Sequence, residues 1–169
     1  MKEESLEATQ ANVEREWIGR ARALKPLLEA AAPRIEQAKM MPPDVLHALH
    51  NAQMFRMTTP RSVGGAELDL ATYAQVVATI AEGDASTAWC IAQVSGSSMC
   101  AAYLDPSVAQ EIFGDANCAF TWGFAGGQPC RAVPSSGWLD RERSLDLCER
   151  ESDLPVAWWS CAAVQRRRG

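Results

Sequence analysis

The sequence has 169 residues, of which 47% are hydrophobic and 22% charged, and its formal net charge is −5. This composition is typical of a globular protein and argues against disorder, and the negative charge gives no reason to expect nucleic acid or an anionic membrane as a partner. The acidic start of the chain differs from a secretory signal, and no apolar run is long enough to span a bilayer. We therefore expect a cytoplasmic protein.

The first predicted helix covers residues 13 to about 39, where apolar side chains recur every three or four positions. Pro26 and Pro33 interrupt this pattern, so the sequence is compatible both with one kinked helix and with two shorter helices. Pro43 suits the first turn of a second helix, which continues to about Ala52. A loop that contains glycine and proline follows over residues 56–68.

Two further helices, over residues 71–81 and from 85 to about 103, meet at a short junction. Gly83 suits the left-handed position just past the end of the first of them. Asp84 can cap the second by accepting hydrogen bonds from its free backbone amides. Because this second helix is apolar nearly all round, the pattern predicts that it is buried on most sides.

The pattern changes from helical to β after residue 114. Asp105 and Pro106 predict the start of a short helix that Gly114 ends. Residues 118–124 are rich in aromatic side chains and lie between turn residues, which predicts a strand. We therefore expect a flexible N-terminus at residues 1–12, a helical domain at 13–115 and a β-rich domain at 116–169.

Few residues are candidates for chemistry on their own. The six cysteines form no CxxC pair and show no zinc-type spacing with histidine, so no metal site is predicted. Cys90 and Cys100 fit core positions in a helix. His47 and His50 share one helix face without further ligands nearby, and we interpret them as surface or structural residues.

Four segments carry a resemblance to a known family: residues 60–68 (PRSVGGAEL), 83–89 (GDASTAW), 101–106 (AAYLDP) and 111–114 (EIFG). Together they resemble the amino-terminal half of the acyl-CoA dehydrogenase superfamily of flavoenzymes, and most closely its hydroxylase-like branch. The resemblance implies a mainly α fold in which an all-helical amino-terminal domain precedes an incomplete β-barrel-like middle domain. The family's carboxy-terminal four-helix bundle would be missing from these residues.

The resemblance also implies a cofactor and a reaction class. The expected cofactor is FAD, with FMN as the alternative, and the residues expected to contact it are Thr121, Trp122 and Gly123. Their backbone amides and one hydroxyl would bind the flavin ring; the alternative is that they are simply strand residues. The expected reaction is acyl-CoA dehydrogenation or hydroxylation by reduced flavin of an aromatic or steroid-like substrate, in a homotetramer.

The family's catalytic carboxylate belongs to the four-helix bundle, so no catalytic residue is assigned in this chain. The resemblance places Arg61 and Ser62 near the substrate entrance, and a simple turn is an equally open interpretation of them. A second hypothesis of another class is a non-catalytic remnant, or a helical association module, that binds no flavin.

The resemblance stops near residue 139, and residues 140–151 are charged where a barrel strand should alternate. Codons read one nucleotide later could encode the Thr-Gly, Arg-Trp and Ala-Ser-Gly elements of the family. One hypothesis is therefore a frame disruption near residues 140–151, and the alternative is a genuine charged loop.

Overall fold

The computed structural model describes residues 2–120, 132–135 and 138–141, with side chains from residue 8 to residue 120. The elements are α1 (Lys2–Ala38), α2 (Pro43–Asn51), η1 (Met54–Arg56), η2 (Arg61–Val63), α3 (Leu70–Ala81), α4 (Ala85–Ser97), η3 (Ser98–Tyr103), α5 (Pro106–Phe113), β1 (Ala132–Ser135) and β2 (Trp138–Arg141), where η denotes a 3-10 helix. The predicted mainly α fold with a helical amino-terminal domain is confirmed.

Helix α1 is one continuous helix, and it begins at Lys2 rather than near residue 13. Pro26 and Pro33 both lie inside it, and both side chains are exposed. The carbonyls that these prolines leave unpaired belong to the exposed residues Arg22 and Glu29, where water can satisfy them. This explains why the helix continues through both prolines instead of dividing into two.

The main core lies between α1 and the helices that pack on it. Helix α1 packs on α3, and α3 packs on α4, while α2 and η1 close one end. The apolar stripe predicted on α1 is buried: Trp17, Ala21, Leu24, Leu28, Ala31 and Ile35. A second, smaller cluster joins η2, η3 and α5 through Val63, Ala101, Ala109 and Phe113.

The junction between α3 and α4 differs from the prediction at one residue. Asp84 caps α4 as predicted, since its Oδ1 accepts a hydrogen bond from the Thr87 amide at 2.6 Å. The left-handed conformation predicted for Gly83 is wrong, because Gly64 is the only described glycine with a positive φ. A Cβ on Gly83 would lie 3.1 Å from the Leu28 Cβ. Glycine is therefore suited to this position by the close approach of α1.

The single helix predicted from residue 85 to 103 is divided between α4 and η3. The hydroxyls of Ser97 and Ser98 donate to the carbonyls of Gln93 and Val94, a bond that competes with regular helix geometry. The predicted burial of α4 on most sides is confirmed, and the exception is the face of Trp89, which is 68% exposed. Among the described residues, the elements that pack on α4 cover its other faces only.

The last described elements are α5, at the end of the predicted helical domain, and two strands in the predicted β-rich domain. Helix α5 begins after the predicted Asp105 cap, whose Oδ1 accepts from the Ser107 amide at 2.9 Å, and it ends before Gly114. Residues 118–120 contain no strand, and the rest of the predicted 118–124 strand lies outside the described residues. Strands β1 and β2 form an antiparallel hairpin in which Ala132 pairs with Arg141. The domain boundaries stay a prediction.

Candidate functional site

The predicted flavin contacts Thr121, Trp122 and Gly123 lie outside the described residues, but the chain leading to them is described. Ala119 is buried in the main core. The ring of Phe120 packs edge-on against Phe113, with 5.4 Å between the ring centroids. Residues 119 and 120, which immediately precede the predicted contacts, therefore pack against the helical domain.

A buried arginine lies close to this point. Arg56 is only 4% exposed, and its guanidinium donates hydrogen bonds to four backbone carbonyls. Two belong to the end of η2, Val63 and Gly64, the latter at 3.3 Å from Nε. The other two belong to the end of α5: Phe113, 2.8 Å from Nη2, and Asp115, 2.8 Å from Nη1. One side chain therefore joins the ends of two helical elements.

The charge of Arg56 is compensated mainly by backbone dipoles. Within the described part of the chain, this guanidinium forms no ion pair with a carboxylate. Carbonyls at the C-terminal end of a helix carry partial negative charge and favour a cation there. Burial lowers the pKa of Arg56, while the charges of Cys118 and Asp115 raise it. An arginine stays protonated in proteins, so the site keeps a positive charge.

A pocket of about 320 Å³ opens beside Arg56, lined in part by His50, Gln53, Gly64 and Asn117. The ring of His50 lies 4.7 Å from that of Phe55. Burial lowers the pKa of His50, as does the charge of His47, and Asp115 opposes both effects. No group of side chains that could hold a metal ion occurs among the described residues. The structural role of the histidines stays a prediction.

The loop between η1 and α3 packs tightly on α4. Thr58 donates its amide to Ser95 Oγ at 3.3 Å and its hydroxyl to the Ser95 carbonyl, and both residues are buried. A Cβ on Gly65 would lie 1.9 Å from the Thr59 carbonyl oxygen, so the loop requires glycine there. Arg61 is exposed in η2, and its amide donates to Glu67 Oε2 at 2.9 Å. Residues 61 and 62 thus lie in a 3-10 turn. A role for them at a substrate entrance stays a prediction.

Small residues on α4 allow close contact with α3. The Tyr73 hydroxyl donates to the Ala92 carbonyl at 2.8 Å, and a Cβ on Gly96 would lie 3.3 Å from that hydroxyl. Cys90 is buried as predicted, and burial raises the pKa of its thiol to about 11, with the charge of Asp84 acting in the same direction. A thiol of this kind is a poor nucleophile.

The opposite side of α4 and η3 carries a row of uncovered side chains, which we call the outer stripe. It consists of three exposed side chains, Trp89 on α4 and Met99 and Tyr103 on η3. Trp89 is 68% exposed, Met99 42% and Tyr103 90%. Cys118 and Phe120 pack against the smaller cluster of η2, η3 and α5, as does Cys100 of η3.

Comparison with known proteins identifies the family. The sequence profile described as "Acyl-CoA dehydrogenase, N-terminal domain" matches residues 20–111, which is more than half of the chain. The chain belongs to this family. The matched residues include the outer stripe, Arg56 and the loop that packs on α4.

A solved structure has the same fold. XiaF from Streptomyces sp., in complex with FADH2 and glycerol, superposes with a TM-score of 0.73 at 23% sequence identity. The match covers 81% of this chain and 34% of the XiaF chain. The chain thus spans about a third of that relative. A comparison with curated proteins gave no match.

No helix in the described part of the chain has the length and apolar character needed to cross a membrane.

Proposed function

We propose that this protein is part of a flavin-dependent oxidoreductase and contributes its helical domain and the start of its flavin site. Two findings support the proposal: the chain belongs to the acyl-CoA dehydrogenase N-terminal domain family, and XiaF, which has the same fold, is in complex with FADH2. In the intact enzyme residues 13–115 form the helical domain, and residues 116–169 belong to the β-rich domain. The enzyme works in the cytoplasm as a homo-oligomer.

The outer stripe is the observation that carries this proposal. Several large apolar side chains exposed on one side of a domain favour a binding surface there. Trp89 and Tyr103 offer flat rings on which an aromatic ring system can stack. Residues 118 and 120, which precede the predicted flavin contacts, pack with η3 and α5 in the smaller cluster.

The described residues fit a flavin or an aromatic substrate as a covering surface rather than as a source of catalytic groups. The stripe contains no titratable carboxylate or histidine, so it can exclude water and orient a flat ligand without exchanging protons. The amides of Thr121, Trp122 and Gly123, and the Thr121 hydroxyl, would hold the ring carbonyls of FAD, or alternatively FMN. When bound, the flavin supplies the redox chemistry, either accepting hydride or activating oxygen once reduced.

The substrate is a small molecule, either an acyl-CoA or an aromatic or steroid-like compound. The dehydrogenase pattern Thr-Glu-Pro followed by Gly-Ser-Asp is replaced here by Trp-Gly-Phe-Ala-Gly-Gly at residues 122–127. This departure favours hydroxylation of an aromatic substrate over fatty acyl-CoA dehydrogenation. No residue of this chain is proposed to be catalytic.

The test is a titration of the full 169-residue chain with FAD and with FMN, followed by quenching of flavin fluorescence. We expect saturable binding that Trp89→Ala and Tyr103→Ala weaken by about tenfold, the effect of losing roughly 1.4 kcal/mol of stacking. Leu70→Ala is the matched control, because Leu70 is an exposed apolar residue of α3 outside the stripe.

The alternative is a helical association module that binds no flavin. It predicts no quenching by either flavin, together with self-association that Tyr103→Ala abolishes in size-exclusion chromatography. That pair of results would overturn the flavin proposal, because the same exposed stripe would then serve a protein interface.

A further inference from the structure

The pocket beside Arg56, of about 320 Å³, opens between the end of α2, the 3-10 helices η1 and η2, and the residues that follow α5. This volume lies at the lower end of the range of small-molecule sites, which is about 300–1,000 Å³. None of the described residues that line the pocket belongs to the outer stripe, so the surface proposed to cover a flavin does not account for it.

Arg56 brings a buried positive charge to the wall of this pocket. A guanidinium has five N–H donors, and backbone carbonyls accept four of them here. Nε and both hydrogens of Nη2 are used in this way, whereas within the described residues Nη1 donates only to the Asp115 carbonyl. The second hydrogen of Nη1 is therefore available to a ligand, and a charged donor of this kind prefers an anionic acceptor.

Gln53 offers a second donor, and a contact with α1 fixes the orientation of its amide. Its Oε1 accepts a hydrogen bond from Arg20 Nη1 at 3.1 Å. Since the oxygen is engaged by Arg20, the NH2 group of Gln53 is left to donate, and Gln53 lines the pocket. The carboxamide of Asn117, exposed on the segment after α5, lines the pocket as well and can donate in the same way.

His50 and Gly64 complete the surroundings of the guanidinium. Burial lowers the pKa of His50 and so favours the uncharged imidazole, which carries one N–H donor. A Cβ on Gly64 would lie 3.5 Å from Arg56 Nη2, so the glycine leaves space beside the charged group. The pocket therefore combines room for a ligand with several hydrogen-bond donors.

The charges around the pocket favour a monovalent ligand. Arg56 supplies one positive charge, and the carboxylate of Asp115 is close enough to affect the pKa of both Arg56 and His50. That carboxylate repels a phosphate dianion more strongly than it repels a single negative charge. Val63 and Ala116 also line the pocket and offer apolar contact to the remainder of an organic molecule.

We propose that this pocket binds a small organic monocarboxylate. The carboxylate accepts hydrogen bonds from Arg56 Nη1 and from the NH2 group of Gln53, with Asn117 and His50 as further donors. The apolar part of the ligand packs against the aliphatic wall of the pocket. This proposal is independent of the proposed function, because it involves neither the outer stripe nor a flavin.

The test is a heteronuclear NMR titration of the full 169-residue chain with sodium benzoate at constant ionic strength. Benzamide is the neutral control, since it has the same ring without the charge, and inorganic phosphate tests for a general anion site. We expect saturable benzoate binding with a Kd on the order of 1 mM, as is usual for a ligand of few atoms. The amide signals of Gly64 and Asn117 should shift, and benzamide and phosphate should bind at least about tenfold more weakly.

Three variants at exposed side chains test the donors and the charges. Gln53→Glu keeps an oxygen for Arg20 but replaces the NH2 donor by a negatively charged oxygen, so the Kd for benzoate should rise by about tenfold or more. Gln75→Glu is the matched control on α3, outside the pocket, and should change the Kd by less than about twofold. Asp115→Asn removes the repulsive charge, keeps an acceptor for the Asn117 amide, and should lower the Kd by about threefold.

Several results would contradict the proposal. Equal binding of benzamide and benzoate would show that the carboxylate is not recognised, and tighter binding of phosphate would make the pocket an inorganic anion site. Equal losses in Gln53→Glu and Gln75→Glu would reduce the effect to overall charge. Shifts confined to the outer stripe, or no saturation well above the expected Kd, would exclude binding in this pocket. Circular dichroism of each variant verifies that it folds.

Discussion

The two sides of α4 both carry large apolar side chains, yet they have different surroundings. On the inner side Ala88, Ile91, Val94 and Ser95 are buried against α3 and the loop that follows η1. On the outer side Trp89 is exposed, as are Met99 and Tyr103 on the η3 continuation. The hydrophobicity of a helix sequence therefore indicates how much of the helix can be buried. The positions of the other helices and loops determine which side is buried.

The comparison also separates stability from function within one helix. Burial of an apolar side chain contributes about 1.5–3 kcal/mol to folding, so the inner side holds the domain together. An exposed ring contributes little of this, and the outer stripe is therefore available for a ligand or another domain. Four predictions test this separation, beginning with the largest effect.

Replacing one residue from each side gives the most direct test. Ile91→Ala should lower the free energy of unfolding by about 2–5 kcal/mol, because the side chain is fully buried and leaves a cavity. Trp89→Ala should change it by no more than about 0.5 kcal/mol, as expected for an exposed site. Urea denaturation followed by circular dichroism measures both. Equal losses would show that the two sides do not differ in this way.

The loop on the inner side depends on a glycine. Gly65→Ala should lower the free energy of unfolding by about 1–3 kcal/mol, because the new Cβ overlaps the Thr59 carbonyl. Gly19→Ala is the matched control: it lies in α1 with nothing within 4 Å of the added carbon. It should raise the free energy of unfolding by about 0.5–1 kcal/mol. A loss at Gly19 as large as at Gly65 would contradict the steric argument.

The start of α4 depends on Asp84. Asp84→Ala should cost about 1 kcal/mol, the usual effect of removing a helix cap, and Asp84→Asn should cost less because asparagine also caps. Burial raises the pKa of Asp84, but hydrogen bonds from Ser86 and Thr87 outweigh it and leave the pKa below its ordinary value.

A lowered carboxyl pKa in the folded state has a definite consequence for pH dependence. The stabilisation from Asp84 is complete above the unfolded pKa of about 3.9 and is lost as the pH falls through the lower, folded pKa. Denaturation of the unmodified protein and of Asp84→Asn between pH 6 and pH 2 measures this. The variant should lose less stability in acid, and identical acid profiles would exclude the contribution of Asp84.

The smallest effect is expected at an exposed ion pair between α1 and the end of α3, where Lys25 Nζ lies 3.1 Å from Glu82 Oε2. A double-mutant cycle with Lys25→Met and Glu82→Gln should give a coupling free energy below about 1 kcal/mol, because exposed ion pairs are screened by water. The coupling should disappear in 1 M salt, where the screening length falls to about 3 Å. A larger coupling that persists in salt would mean that this contact is shielded from solvent.

Local signals allowed much of the fold to be predicted. The Asp84 and Asp105 caps, the start of α2 at Pro43 and the buried stripe of α1 each follow from a few neighbouring residues. Gly83 was misassigned because its requirement comes from α1, which approaches from a distant part of the sequence. Which side of α4 stays exposed could not be predicted either, because this depends on the positions of all the other elements.

The candidate site was predictable only through the family resemblance. That resemblance supplied Thr121, Trp122 and Gly123, which stay a prediction because they lie outside the described residues. Arg56 gave no signal at all: its partners are backbone carbonyls up to 59 residues away, and every residue type carries such a carbonyl.

Within the described residues, the hydrogen bonds of the Arg56 guanidinium all go to backbone carbonyls, so they do not depend on the side-chain chemistry of the acceptor residues. Three of the four acceptor positions are constrained for other reasons: Val63 and Phe113 are buried, and Gly64 has a positive φ. Asp115 is exposed, so a saturation library should accept more changes at residue 115 than at residue 56, where the single donor has no equivalent substitute.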